Sequence, residues 1–196
     1  MTPARALVAA LAAATAFSAA RGDRRILAYL AVVLVVTAGL HRAHRLRPFP
    51  PVLQWAAVGC AALHLAGGLL PGDPVFYETW VVEGVVKYDQ LVHFTISATL
   101  TAVARHVLGR WLEAAPPALL VAMAVLVANG FGAGNEVFEF LSALRFADAY
   151  VGGFENAGWD LVFNAFGSLT AGAVLLGAHR VPDDPTPDFG GDFATF

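Results

Sequence analysis

The sequence predicts an all-α polytopic membrane protein of about six transmembrane helices, with a polar core formed by helices three to six. Three observations predict it. The 196 residues are 58% hydrophobic and only 14% charged, with a mean hydropathy of +0.63, whereas a soluble domain carries about 25% charged residues. The apolar residues fall in blocks approaching or reaching the roughly 17–25 residues that a spanning helix needs. The titratable residues inside the last four blocks lie on faces that are otherwise small or polar.

The first block runs from Ala4 to Ala20. Arg5, an apolar centre and the small residues Ser18 and Ala20 also fit a cleaved signal peptide. A retained helix is favoured, because a second block, Ile26–Leu40, follows almost at once. Both are short, so a tilted hairpin or a partly interfacial first helix fits as well. The third block, Val52–Leu70, follows Pro48, Pro50 and Pro51 and ends at Pro71-Gly72-Asp73-Pro74. Glu83 and Lys87, four apart, suggest a surface helix pair before the fourth block, Tyr88–Trp111. The fifth block, Pro117–Leu144, starts on a proline, where proline costs a helix least. The sixth runs from Trp159 to His179. Residues 1–181 thus make one transmembrane domain. Residues 182–196, with Asp183, Asp184, Asp188 and Asp192 among prolines and glycines, read as an acidic, disordered tail.

With the N-terminus inside, the inner segments hold Arg5, Arg42, Arg45, Arg47, Arg105, Arg110 and Arg180, and the outer ones Arg21, Arg24, Arg25, Lys87 and Arg145. This bias favours both termini in the cytoplasm. The net charge is −3 with no basic run interleaved with aromatics, which argues against a nucleic-acid partner and leaves membrane lipids as the surroundings. Cys60 is the single cysteine, so neither an internal disulfide nor a Cys-based metal site is available.

Charged groups at membrane depth cost about 2.5–3.5 kcal/mol each on insertion scales, so they demand a reason. In the third helix one face reads Ala57, Cys60/Ala61, His64 and Gly67/Gly68. In the fourth, Asp89, His93 and Ser97 recur at i, i+4 and i+8, which puts them on one side. In the fifth, Asn129, Gly132, Glu136 and Glu139 form a seam, and in the sixth Asp160, Asn164, Gly167 and Ser168 share a side. Small residues let helices approach and polar ones bond across the gap. The expected packing turns these four faces inward, with the first two helices outside.

Alternating helix direction then brings His64, Asp89, His93, Glu136, Glu139 and Asp160 to one membrane side, the extracytoplasmic side if the N-terminus is inside. Imidazole suits zinc and carboxylates suit magnesium, manganese or calcium, so a divalent metal is a possible cofactor. It would activate water or polarise a phosphoryl or carbonyl group. Without metal, Asp89, His93, Glu136, Glu139 and Asp160 could act as general acids and bases, or relay protons. Plain structural readings stand beside these: an intrahelical Asp89/His93 ion pair, Asp160 as a helix cap, and Asn164 as glue between helices.

His64-Leu65-Ala66-Gly67-Gly68, Tyr88–Phe94 (YDQLVHF) and Asn135–Ala143 (NEVFEFLSA) resemble motifs of the YjdF-like bacterial inner-membrane proteins, whose function is uncharacterised. The stretch from Tyr150-Val151-Gly152-Gly153 to Trp159-Asp160 is similar too, but Asn156 stands where that family suggests an aspartate. Asp89/His93 and Asp160/Asn164/Gly167 also resemble VanZ-like proteins, which are linked to glycopeptide-antibiotic tolerance. There Glu139 departs from the expected pattern, which has a glutamine after the glutamate corresponding to Glu136. The likeness covers the last four helices, somewhat over half the chain, and implies a prokaryotic cell membrane without naming a reaction. Three functions follow: an enzyme acting on an amphiphilic or lipid-linked substrate, a small solute or proton-coupled transporter, and a structural or accessory protein.

Overall fold

The computed structural model describes residues 1–22, 26–72, 75–145 and 152–180. The predicted acidic tail, the charges at Arg24 and Arg25, and Pro74, Tyr150 and Val151 lie outside the described residues. Six helices form: α1 (Pro3–Arg21), α2 (Ile26–Leu46), α3 (Pro51–Leu69), α4 (Tyr88–Trp111), α5 (Pro117–Arg145) and α6 (Gly153–Arg180). Local chemistry sets their starts. Thr2 caps α1 by accepting from the Arg5 N–H, and prolines occupy the first turns of α1 and α3. The Gln90 side chain reaches back to accept the Lys87 N–H at 2.9 Å, which closes the first turn of α4. Gly152 and Gly153 enter α6 with φ of +67° and +82°, a conformation costly to any residue with a Cβ.

Among the described residues, five helices, α1 and α3 to α6, are long and apolar enough to cross a membrane. Helix α2 is 21 residues long and carries His41, Arg42, His44 and Arg45 in its last turns.

Burial is inverted relative to a water-soluble protein. The largest fully buried side chains are Asn164, Thr101, Asp160, Ser18, Ser97 and Ser168, all polar. Leu126, Phe131, Phe138, Phe140, Leu144, Phe166 and Leu169 all face outward. In water, exposed apolar surface on this scale would drive aggregation. Against acyl chains it costs nothing, and inside the bundle Ser97, Asn164, Asn129 and Ser168 bond to one another across the helices.

Helices α4, α5 and α6 form the inner bundle, and α3 lies against α4. Helices α1 and α2 sit outside on α3, where Val33, Leu65 and Leu69 bury together with Leu7, Leu11 and Tyr29 around them. Two contacts set the inner bundle. Gly167 of α6 lies directly on the Phe94 carbonyl of α4, with no room for a Cβ, and Gly132 of α5 admits the Asn164 amide. Below the bundle end, Ser97 donates to Asn164 Oδ1 at 2.6 Å and Asn129 donates to Ser168 Oγ at 2.7 Å.

The segment between α3 and α4 departs from expectation. Rather than a surface helix, it forms a 3₁₀ turn (Phe76–Glu78) and a small antiparallel hairpin of β1 (Trp80–Val82) and β2 (Val86–Lys87). Valines on both sides of Gly84, at φ +67°, favour strands over helix. Lys87 therefore pairs with Glu78, at 2.6 Å, and not with Glu83 as a helical spacing would require.

Candidate functional site

Three helices contribute to a cluster near one end of the inner bundle. Asp89 and His93 lie one turn apart on α4, Glu136 and Glu139 one turn apart on α5, and Asn156 and Asp160 one turn apart on α6. At 1.5 Å per residue, His93, Glu136 and Asp160 sit about 8–14 Å below their helix ends. Helix α6 begins six residues earlier than the hydropathy suggested, so Asp160 lies in its third turn. It is therefore a wholly buried interior residue and not a cap.

The imidazole of His93 is the hub. Its Nε2 lies 3.5 Å from Asp89 Oδ1 and 3.8 Å from Asp160 Oδ2, while its Nδ1 lies 3.8 Å from Glu136 Oε1. The ion pair expected between Asp89 and His93 is thus one of three. Those separations exceed a good hydrogen bond. They come close to the spacing of two ligands on one ion, about 3.3–3.6 Å for bonds of 2.0–2.2 Å at a tetrahedral angle. Two triplets, Asp89/His93/Asp160 and His93/Glu136/Glu139, each hold their ligand atoms within 4.8 Å of one another.

Amides fix the carboxylates from behind. Asn156 donates to both Asp89 Oδ2 and Asp160 Oδ2, joining α4 to α6, and Asn135 donates to Glu139 Oε1 at 2.7 Å. Glu136 Oε1 and Asp160 Oδ1 are left buried without a hydrogen-bond partner. An unmet buried acceptor costs about 1–3 kcal/mol or more when charged, so both oxygens call for a proton or a cation.

His64 is not brought into either triplet. Its Nδ1 is 2.8 Å from the Tyr77 hydroxyl, which also lies 2.9 Å from the His64 carbonyl, and Tyr29 packs edge-on to the ring. Gly67 and Gly68 sit under the rings of Tyr77 and Tyr29 and do not face the inner bundle. The small face of α3 is thus divided: Gly67 and His64 meet Tyr77 of the connector, Gly68 meets Tyr29 of α2, and Cys60 donates to Thr99 Oγ1 of α4. The assemblies with metal-ligand spacing draw, among the described residues, on α4, α5 and α6 alone.

Burial pushes the Tyr77 phenol well above its ordinary value, with Tyr29 adding to the shift. A folded pKa above the unfolded one means that stability from Tyr77 is complete below pH of about 10 and lost as pH rises beyond it. Tyr77→Phe is expected to lower stability by about 1 kcal/mol at neutral pH and to flatten the loss above pH of about 10. Thermal unfolding in detergent across that range checks both.

Asn164, Asn129 and Ser97, anticipated as polar glue, occupy that place. Asn156 and Asn135 are the functional-type residues that helical spacing did not single out as site members. Asn135 directly precedes Glu136 in sequence, yet its partner is Glu139, one turn on.

The inverted burial and the buried acid–imidazole cluster define a polytopic helical membrane protein with a polar intramembrane centre. The chain belongs to the family described as "Predicted membrane protein (DUF2238)", whose model matches residues 3–181. No curated protein and no solved structure was found to match it.

Proposed function

We propose that the protein is a membrane-embedded enzyme whose His93 cluster holds a divalent metal and acts on the headgroup of an amphiphilic or lipid-linked substrate. The observation that carries this reading is the pair of separations at His93 Nε2, 3.5 Å to Asp89 Oδ1 and 3.8 Å to Asp160 Oδ2, near ligand–ligand spacing and long for hydrogen bonds. In this reading His93 Nε2, Asp89 and Asp160 are the ligands. A ligating histidine usually gives its other N–H to a carboxylate; Glu136 Oε1, 3.8 Å from Nδ1, stands on that side of the ring and would accept the proton once it closes by less than about 1 Å. Three protein ligands would leave positions open for substrate, as catalytic sites do. When bound, the ion would polarise a phosphoryl or carbonyl group. Glu139, held by Asn135 and outside the Asp89/His93/Asp160 triplet, is the acid–base group.

The Lys/Arg bias supports the extracytoplasmic leaflet as the working side, with both termini cytoplasmic and residues 182–196 as an acidic tail there. The YjdF-like and VanZ-like motif likenesses agree with a prokaryotic cell membrane. A carrier is less well supported. Ser97, Asn129 and Thr101, the polar groups leading away from the cluster, bond to Asn164, Ser168 and the Ser97 carbonyl.

Reconstituted protein supplied with manganese or zinc is expected to turn over lipid phosphates or lipid esters. Glu139→Gln is expected to retain metal while losing about 10²–10⁴ in rate. No metal-dependent turnover on either lipid class, with proton flux into liposomes that Glu136→Gln abolishes, would replace the enzyme by a carrier.

A further inference from the structure

At the opposite end of the bundle, a cavity of about 440 Å³ opens between α3, α4, α5 and α6. That volume lies within the roughly 300–1,000 Å³ of ordinary ligand sites. Arg47, Arg105 and His106 line it together with the apolar Leu53, Val121 and Leu175. The two guanidinium groups converge on Gly109. A Cβ placed there would meet Arg105 Nη1 at 2.8 Å and Arg47 Nη1 at 3.0 Å, so the two nitrogens are at most the sum of those distances apart. Among the described residues neither arginine has a carboxylate partner; the nearby acid, Glu113, is exposed and lies 3.6 Å from Arg110.

This corner is built and held. Arg47 Nη1 donates to the His106 carbonyl at 2.7 Å, and the His106 ring lies 3.0 Å from the Pro48 carbonyl. Phe49 is buried between the His44 and His106 rings, and its N–H donates to His44 Nδ1 at 2.9 Å. Two like charges brought together beside apolar walls repel unless an anion lies between them. Basic pockets between transmembrane helices are suited to anionic lipid headgroups.

We propose that the Arg47–Arg105 cavity binds the headgroup phosphate of an anionic phospholipid, with its acyl chains along Leu53, Val121 and Leu175. A guanidinium pair matches phosphate oxygens in two-pronged geometry, and the choline cation of a zwitterionic headgroup would be repelled by the two arginines where an uncharged glycerol would not. The assignment is independent of the metal reading, because it lies at the other bundle end and shares no residue with the His93 cluster.

The test uses the full chain in detergent micelles, with phosphatidylglycerol, phosphatidylcholine or inorganic phosphate added. Native mass spectrometry is expected to retain phosphatidylglycerol in preference to phosphatidylcholine. The pair Arg47→Gln and Arg105→Gln is expected to weaken retention about thirtyfold, while Arg110→Gln, outside the cavity, leaves it unchanged. A photoactivatable phosphatidylglycerol is expected to cross-link wild-type protein at peptides containing Leu53 and Leu175, a readout that survives if the double variant does not fold. Equal retention of both lipids, equal loss in Arg110→Gln, or cross-links scattered over the helices would overturn the proposal. Displacement of the lipid by inorganic phosphate at equal concentration would overturn the lipid as the source of the phosphate.

Discussion

His93→Ala is expected to abolish divalent-metal binding, with a larger loss than any single carboxylate substitution in the cluster. The reason is the position of the ring. Its Nε2 faces Asp89 and Asp160 and its Nδ1 faces Glu136, so both triplets with ligand spacing pass through this one side chain. Losing only a supporting partner of a ligand typically costs about 10–100-fold in affinity. Removing the shared ligand exceeds that. Titration of metal-free protein with manganese or zinc measures the loss. Asp160→Ala separates the two faces of the ring: it is expected to cost nearly as much if the ion sits at Nε2, and little if it sits at Nδ1. Because ligands must be deprotonated, affinity also falls as pH is lowered.

Gly167→Ala is expected to be the most disruptive single-methyl change in the inner bundle. The added carbon would collide with the Phe94 carbonyl oxygen, a backbone atom that no rotamer change can move away. Overpacking a close contact costs about 1–3 kcal/mol and sometimes more, and a rigid backbone neighbour puts this case at the upper end. Phe94 adjoins His93, so a forced separation of α4 from α6 also pulls His93 away from Asp160. Gly130→Ala is the matched control, since nothing lies within 4 Å of a Cβ there. A helical glycine replaced by alanine without a clash gains up to about 1 kcal/mol. Unfolding midpoints in detergent should therefore move in opposite directions for the two variants.

Much of this architecture was legible in the sequence, because a bilayer imposes length and polarity rules that survive without tertiary detail. The meeting of Asp89, His93, Glu136, Glu139 and Asp160 followed from helical spacing plus alternating direction. Neither depends on knowing contacts. His64 shared the same end of the bundle but not the same centre. Its rotation about α3 was decided by Tyr77 and Tyr29, which come from the connector and from α2, and spacing along α3 carries no record of them. The hairpin at 80–87 was missed because Glu83 and Lys87 fit a helical pair, while the valine-rich stretch around Gly84 favoured strands. Hydropathy puts the start of α6 late, because Asn156 and Glu155 look like loop residues. In the fold Asn156 is instead the amide that joins two carboxylates. Its bridging position puts a donor where an aspartate would add negative charge.

X-ray absorption at the metal edge of manganese- or zinc-loaded protein tests the gathered centre most directly. One imidazole nitrogen and carboxylate oxygens at about 2.0–2.2 Å are expected, with the nitrogen contribution gone in His93→Ala. Protein that takes up no ion, or holds one by oxygen ligands alone in both wild type and His93→Ala, would contradict a metal centre built on His93.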